Sequence, residues 1–157
     1  MTLEVLPKVS LIDALRRNGF KATPQRIAIC NFALSSRDHP TAQEIYGQVK
    51  KVYPTVSLTT VYKTLQVLKQ LHLIQELPLS GGERFDSYME PHINIMCVRC
   101  GEVLDINDRS ARDMVERAAA KTRYTLTGQR FDIYGVCAKC KEGKKPLSRQ
   151  RICPHRM

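Results

Sequence analysis

The chain has 157 residues, 43% of them hydrophobic, with a formal net charge of +10 and a pI near 9.5. That allows one ordinary domain or two small ones around a buried core, and it excludes wholesale disorder. The charge points to a polyanionic partner, nucleic acid before anionic membrane, and no stretch reaches the roughly 18 apolar residues of a membrane span.

In chain order, residues 9–18 predict a short amphipathic helix that stops at Gly19. Thr23 caps a second helix with Pro24 at its first position, running through Leu34. Thr41 caps a third, with Glu44 completing a capping box and Ile45, Val49 and Val52 along one face. Pro54 ends it. Ser57 then caps a fourth helix whose core stripe is Val61, Leu65, Leu68 and Leu71. Residues 73–79 and 83–88 read as a hairpin around Ser80-Gly81-Gly82. Helices followed by a hairpin predict a winged helix-turn-helix whose last helix enters the major groove.

The second half changes character. Strands are expected at 92–96, 102–106, 124–127 and 130–136, with a helix over 108–122 capped by Asp108. The expected fold class is therefore α+β: an N-terminal winged helix-turn-helix, then a small α/β domain with a structural zinc site. The domains expected are 1–86, 87–140 and a basic tail over 141–157. That tail holds a net +5, with Lys141, Lys144, Lys145, Arg149, Arg151 and Arg156 against Glu142. It reads as a solvated end or as extra phosphate contact.

Cys97-Val98-Arg99-Cys100 and Cys137-Ala138-Lys139-Cys140 place two thiols on each of two tight turns. Together they can close a tetrahedral zinc site with no open position. Met1-Thr2-Leu3-Glu4-Val5-Leu6-Pro7 lacks the basic start and apolar run of a secretory signal, so a cytoplasmic chain is expected. In a reducing compartment paired Cys-x-x-Cys motifs mean metal or redox work. A thioredoxin-type dithiol needs a βαβ setting and a single reactive pair, which this pattern does not offer. A zinc hydrolase needs an open metal position, and no His-Glu-x-x-His occurs. A zinc-stapled RNA-binding or structural module is the remaining rival. Cys30 lies in an apolar helix and reads as an inert core thiol; Cys153 and His155 read as tail residues.

Several motifs in order resemble the Fur family of metal-responsive bacterial repressors. They are Thr23-Pro24-Gln25-Arg26, His39-Pro40-Thr41-Ala42, Ser57-Leu58-Thr59-Thr60-Val61-Tyr62, Arg84-Phe85-Asp86 and the first cysteine pair between Ile95 and Gly101. The match runs from about Leu11 to Cys140. The resemblance implies a homodimer that reads a palindromic operator in double-stranded DNA, no enzyme activity or catalytic residue, no small-molecule substrate and no membrane partner. It also implies a regulatory metal at the hinge, held by His39, Asp86, His92, Asn94 and Asp105. Asn94 stands where the family has a second histidine, which leaves an oxygen-rich set suited to iron(II) or manganese(II). Aspartate at both 86 and 105 resembles the peroxide-sensing, PerR-like branch, in which oxidation of a ligand histidine, here His39 or His92, ends repression. The alternative is an iron-uptake repressor without peroxide sensing. The family's histidine-rich second site is not evident, Gly128-Gln129 standing in its place. DNA contacts fall to Lys21, Ser57, Thr59, Thr60, Tyr62 and Lys63; for Tyr62 a half-buried packing role is the plain alternative.

Overall fold

The computed structural model describes residues 8–79 and 82–143. Ser80 and Gly81 of the expected turn lie outside the described residues, as does the tail from 144 onward with Cys153 and His155. The chain divides into two compact units that change over between Met89 and Glu90, with Leu79 and Gly82 counted in the second.

The first unit holds α1 (Lys8–Arg17), α2 (Pro24–Ser35), α3 (Ala42–Val52), α4 (Leu58–Gln70), β1 (Gln75–Leu77) and β2 (Arg84–Asp86). Local chemistry writes these ends. Gly19, at φ +78, releases the chain after α1. The side chains of Thr23, Thr41 and Ser57 each accept a backbone N–H at their helix starts, and Thr41 with Glu44 forms the full capping box. After α4, His72 takes the left-handed position at φ 54. There the Leu73 N–H returns to the Leu68 carbonyl at 2.9 Å, a Schellman closure with histidine where glycine is usual. Helices α2, α3 and α4 pack on one another around Leu15, Ile29, Ile45, Val61, Leu65 and Leu68, all fully buried. β1 and β2 pair antiparallel, Glu76 opposite Phe85, and Phe85 joins the core. The winged helix-turn-helix is present as expected.

One residue departs from expectation. Val52 is 72% exposed. It lies in the last turn of α3, and Tyr53, the C-cap, packs back on the core instead.

The second unit holds β3 (Ile93–Cys97), β4 (Val103–Ile106), α5 (Arg109–Lys121), β5 (Phe131–Gly135) and the one-turn α6 (Ala138–Lys141). The sheet order is β4-β3-β5, with β3–β4 antiparallel and β3–β5 parallel. No strand forms at 124–127; the segment is irregular, and Tyr124 and Leu126 are exposed. Alternating β-formers need a ladder partner, and β5 has already taken the open edge of β3.

The faces of this sheet are unusual. Leu104, Ile106 and Ile133 stand at 60%, 38% and 50% exposure. The opposite face carries Asn94, Met96 and Asp105, buried or half-buried. Apolar side chains out and polar side chains in is a pattern that wants a partner surface on one side and a charge on the other.

Candidate functional site

The cysteines come together because β3 and β5 are parallel neighbours. Cys97 ends β3, and Cys137 follows β5 as the N-cap of α6. Two pairs 36 residues apart thus reach the same end of the sheet. Gly101, at φ +71, lets the first turn close, its N–H donating to the Cys97 carbonyl at 2.9 Å. Arg99 Nη1 donates to the Cys140 carbonyl at 3.1 Å and ties one turn to the other. The four sulfurs lie within 4.8 Å of one another.

Sulfurs about 2.3 Å from a tetrahedral zinc stand about 3.8 Å apart, and Cys100 Sγ lies 3.8 Å from Cys137 Sγ. The donor set therefore fits zinc. Burial alone raises the Cys97 thiol, but backbone N–H donors from Cys137, Cys100 and Arg99 outweigh it and bring its pKa down to about 6. Cys140 is pushed up to about 12, by burial and by the neighbouring sulfurs. Four thiolates so close repel one another, and a divalent cation is what lets all four ionise.

Among the described residues, this is the one group of three or more His, Cys, Asp or Glu donors drawn that close. The other expected ligands fall into two sets, one in each unit.

In the first unit, His39 and Asp86 are both buried, with His39 Nε2 3.8 Å from Asp86 Oδ1. The loop holding His39 is sewn to β2. Arg84 Nη1 donates to the His39 carbonyl at 2.9 Å, the Phe85 N–H donates to the Pro40 carbonyl at 3.0 Å, and Thr41 bridges Arg84. His39 sits at φ 47. Such a left-handed conformation costs a non-glycine residue about 1 kcal/mol or more and concentrates at working sites.

In the second unit, His92 Nδ1 lies 2.8 Å from the Glu90 carbonyl. A carbonyl only accepts, so Nδ1 carries a proton, and in the neutral tautomer the lone pair is then on Nε2. That atom lies 3.2 Å from Asn94 Oδ1; with the amide turned end for end, its NH2 would donate to that lone pair. Asn94 is 1% exposed. Its register partner on β4 is Asp105 and on β5 is Asp132. Asp132 escaped the sequence reading; alternation along β5 marks its face, but only the register sets it beside Asn94.

On the expected DNA-reading helix, Ser57 Oγ accepts the Thr60 N–H at 3.1 Å and lies 2.9 Å from Thr60 Oγ1, so both hydroxyls serve the cap. Thr59 and Lys63 are exposed, as is Lys21. Tyr62 is half-buried against the core, and its hydroxyl accepts from Gln43 Nε2 at 3.2 Å. Gln43 also went unnoticed in the sequence, where nothing local marks it. Cys30 is fully buried and its thiol is pushed up to about 12 by burial, which keeps it inert.

The family model described as ferric uptake regulator matches residues 17–134. The chain belongs to the ferric uptake regulator family. It is 37% identical over 132 residues to the peroxide-responsive repressor PerR of Staphylococcus epidermidis, covering 83% of this chain and 88% of that protein. It is 36% identical over 132 residues to the protein of the same name from Staphylococcus saprophyticus, covering 83% and 89%. Among solved structures, the Campylobacter jejuni peroxide stress regulator superposes with a TM-score of 0.65 at 32% identity, over 83% of this chain and 98% of that one. The Helicobacter pylori ferric uptake regulator Fur gives a TM-score of 0.72 at 21% identity, over 92% and 100%, a likeness of fold. The chain is thus a metal-dependent transcriptional regulator and not an enzyme, of a family that binds DNA as dimers. No described helix is long and apolar enough to cross a membrane.

Proposed function

We propose that this chain is a peroxide-responsive repressor whose regulatory iron(II) or manganese(II) is held by His39, Asp86, His92, Asn94 and Asp105. The observation that carries this reading is the buried His39–Asp86 pair, in a chain 36% identical to a named peroxide-responsive repressor. Residues 1–86 read a palindromic operator, and 87–140 dimerise and sense. Zinc on Cys97, Cys100, Cys137 and Cys140 is structural. Lys21, Ser57, Thr59, Thr60, Tyr62 and Lys63 face the DNA, with Gln43 orienting the Tyr62 hydroxyl. The apolar face of Leu104, Ile106 and Ile133 supports the homodimer.

Carboxylate and amide oxygens beside two imidazoles suit iron(II) and manganese(II) better than softer ions. When bound, iron(II) supplies the one-electron chemistry that reduces peroxide. His39 and His92 hold the ion through imidazole nitrogens and are the oxidisable groups beside it. Oxidation of either ring weakens its donor nitrogen and so the hold on the ion.

The test uses zinc-loaded protein and an inverted-repeat duplex selected from random DNA in the presence of manganese(II). With iron(II), peroxide is expected to release the duplex and add one oxygen atom to the peptide carrying His39 or His92. With manganese(II), binding survives peroxide. Iron-loaded protein that keeps its DNA through peroxide treatment would instead favour a metal-dependent repressor of the iron-uptake type.

A further inference from the structure

The row across the second unit's sheet is Asp105, Asn94, Asp132, one residue from each strand in register. Resting on the regulatory-site reading above, we infer that Asp132 is a further ligand of the regulatory ion, a carboxylate standing in for the imidazole that position 94 lacks.

Three observations carry this. In a sheet, register partners project from the same face, so Asp132 shares the buried face of Asn94. The Asp132 side chain is 10% exposed, and its Oδ1 is buried with no hydrogen-bond partner. A buried carboxylate oxygen left in that state is costly without a cation or donor to meet it. The other oxygen, Oδ2, is anchored by Arg130 Nε at 2.8 Å and faces the Tyr134 hydroxyl at 3.4 Å. One oxygen held by an outer partner and one left open is how carboxylate ligands are oriented for a metal. A plain Arg130–Asp132 ion pair would account for Oδ2 and leave Oδ1 unexplained.

The chemistry follows. Replacing imidazole by amide removes a strong neutral donor, and adding a carboxylate returns donor strength as negative charge. The resulting set is richer in oxygen and poorer in nitrogen, which shifts preference toward manganese(II) and iron(II) and away from zinc(II). It also leaves His92 as the one oxidisable imidazole that the second unit contributes.

Manganese(II) binding to the zinc-loaded protein, read by electron paramagnetic resonance and calorimetry without DNA, tests this. Asp132→Asn is expected to weaken manganese(II) at least tenfold. Asp132→Glu should restore most of the affinity, and Arg130→Gln should weaken it less than Asp132→Asn does. The double variant Asp132→Asn with Asn94→His is expected to recover binding while shifting preference toward zinc(II). Zinc content and melting temperature are measured on each variant. If Asp132→Asn lowers the melting temperature, the Asn94→His recovery measured in that same background still decides the matter. Manganese(II) affinity within twofold of the parent in Asp132→Asn, while His92→Ala and Asp105→Asn abolish binding, overturns this inference alone. If those two variants also bind normally, the regulatory-site reading itself fails.

Discussion

The first unit closes its core on itself: Leu15, Ile29, Leu65 and Phe85 interlock among helices and wing with almost no side-chain surface left to water. The second unit buries Met96 and Ala111, but it puts Leu104 and Ile133 outside and Asn94 inside. Its thiol cluster gathers at one end of the sheet, and Leu104, Ile106 and Ile133 stay exposed on one face. A small unit that lacks apolar mass depends on a staple or on association. The chain thus pairs a unit closed by burial with one that burial closes less completely.

The largest test of that contrast is removal of the structural metal. Chelation, or Cys97→Ser, is expected to unfold the second unit and dissociate the dimer while α2–α4 keep their protection in hydrogen exchange. Persistent protection of β3 amides without metal would break the comparison. Next, Phe85→Ala should destabilise the first unit by about 3–5 kcal/mol in denaturant unfolding, with zinc content unchanged. If zinc were lost as well, the two units would not be independent. Third, Leu104→Asp should weaken the dimer by about 2 kcal/mol or more in sedimentation, lowering DNA affinity without altering bound zinc. The smallest effect is expected at the end of α4. His72→Gly relieves a left-handed histidine and should stabilise the first unit by about 1 kcal/mol, seen as a higher melting temperature; an unchanged or lower value would mean that the His72 side chain has an offsetting role.

Much of the fold was legible because its signals are local. Thr23-Pro24, Thr41 with Glu44, Ser57 and Asp108 each start the helix they were read to start, since a cap is settled within about one turn. The Cys-x-x-Cys pairs were legible for the same reason. Residues 124–127 were misread because alternation reports the preference for a strand and not the presence of a partner. Val52 was misread because periodicity does not say where a helix runs out of neighbours.

The candidate site divides along the same line. The family resemblance named His39, Asp86, His92, Asn94 and Asp105 as donors, and residue type and spacing named two cysteine pairs as a metal clamp. The left-handed backbone at His39 and its stitching to Arg84 depend on residues 45 positions apart. The inverted faces of the sheet and the placement of Asp132 beside Asn94 depend on a parallel register between β3 and β5. The sequence by itself determined the helix starts and the two cysteine turns, because those are set by interactions within a few residues. Only the tertiary structure decided which donors share a face and which apolar groups remain uncovered, because register and burial are properties of contacts between distant segments.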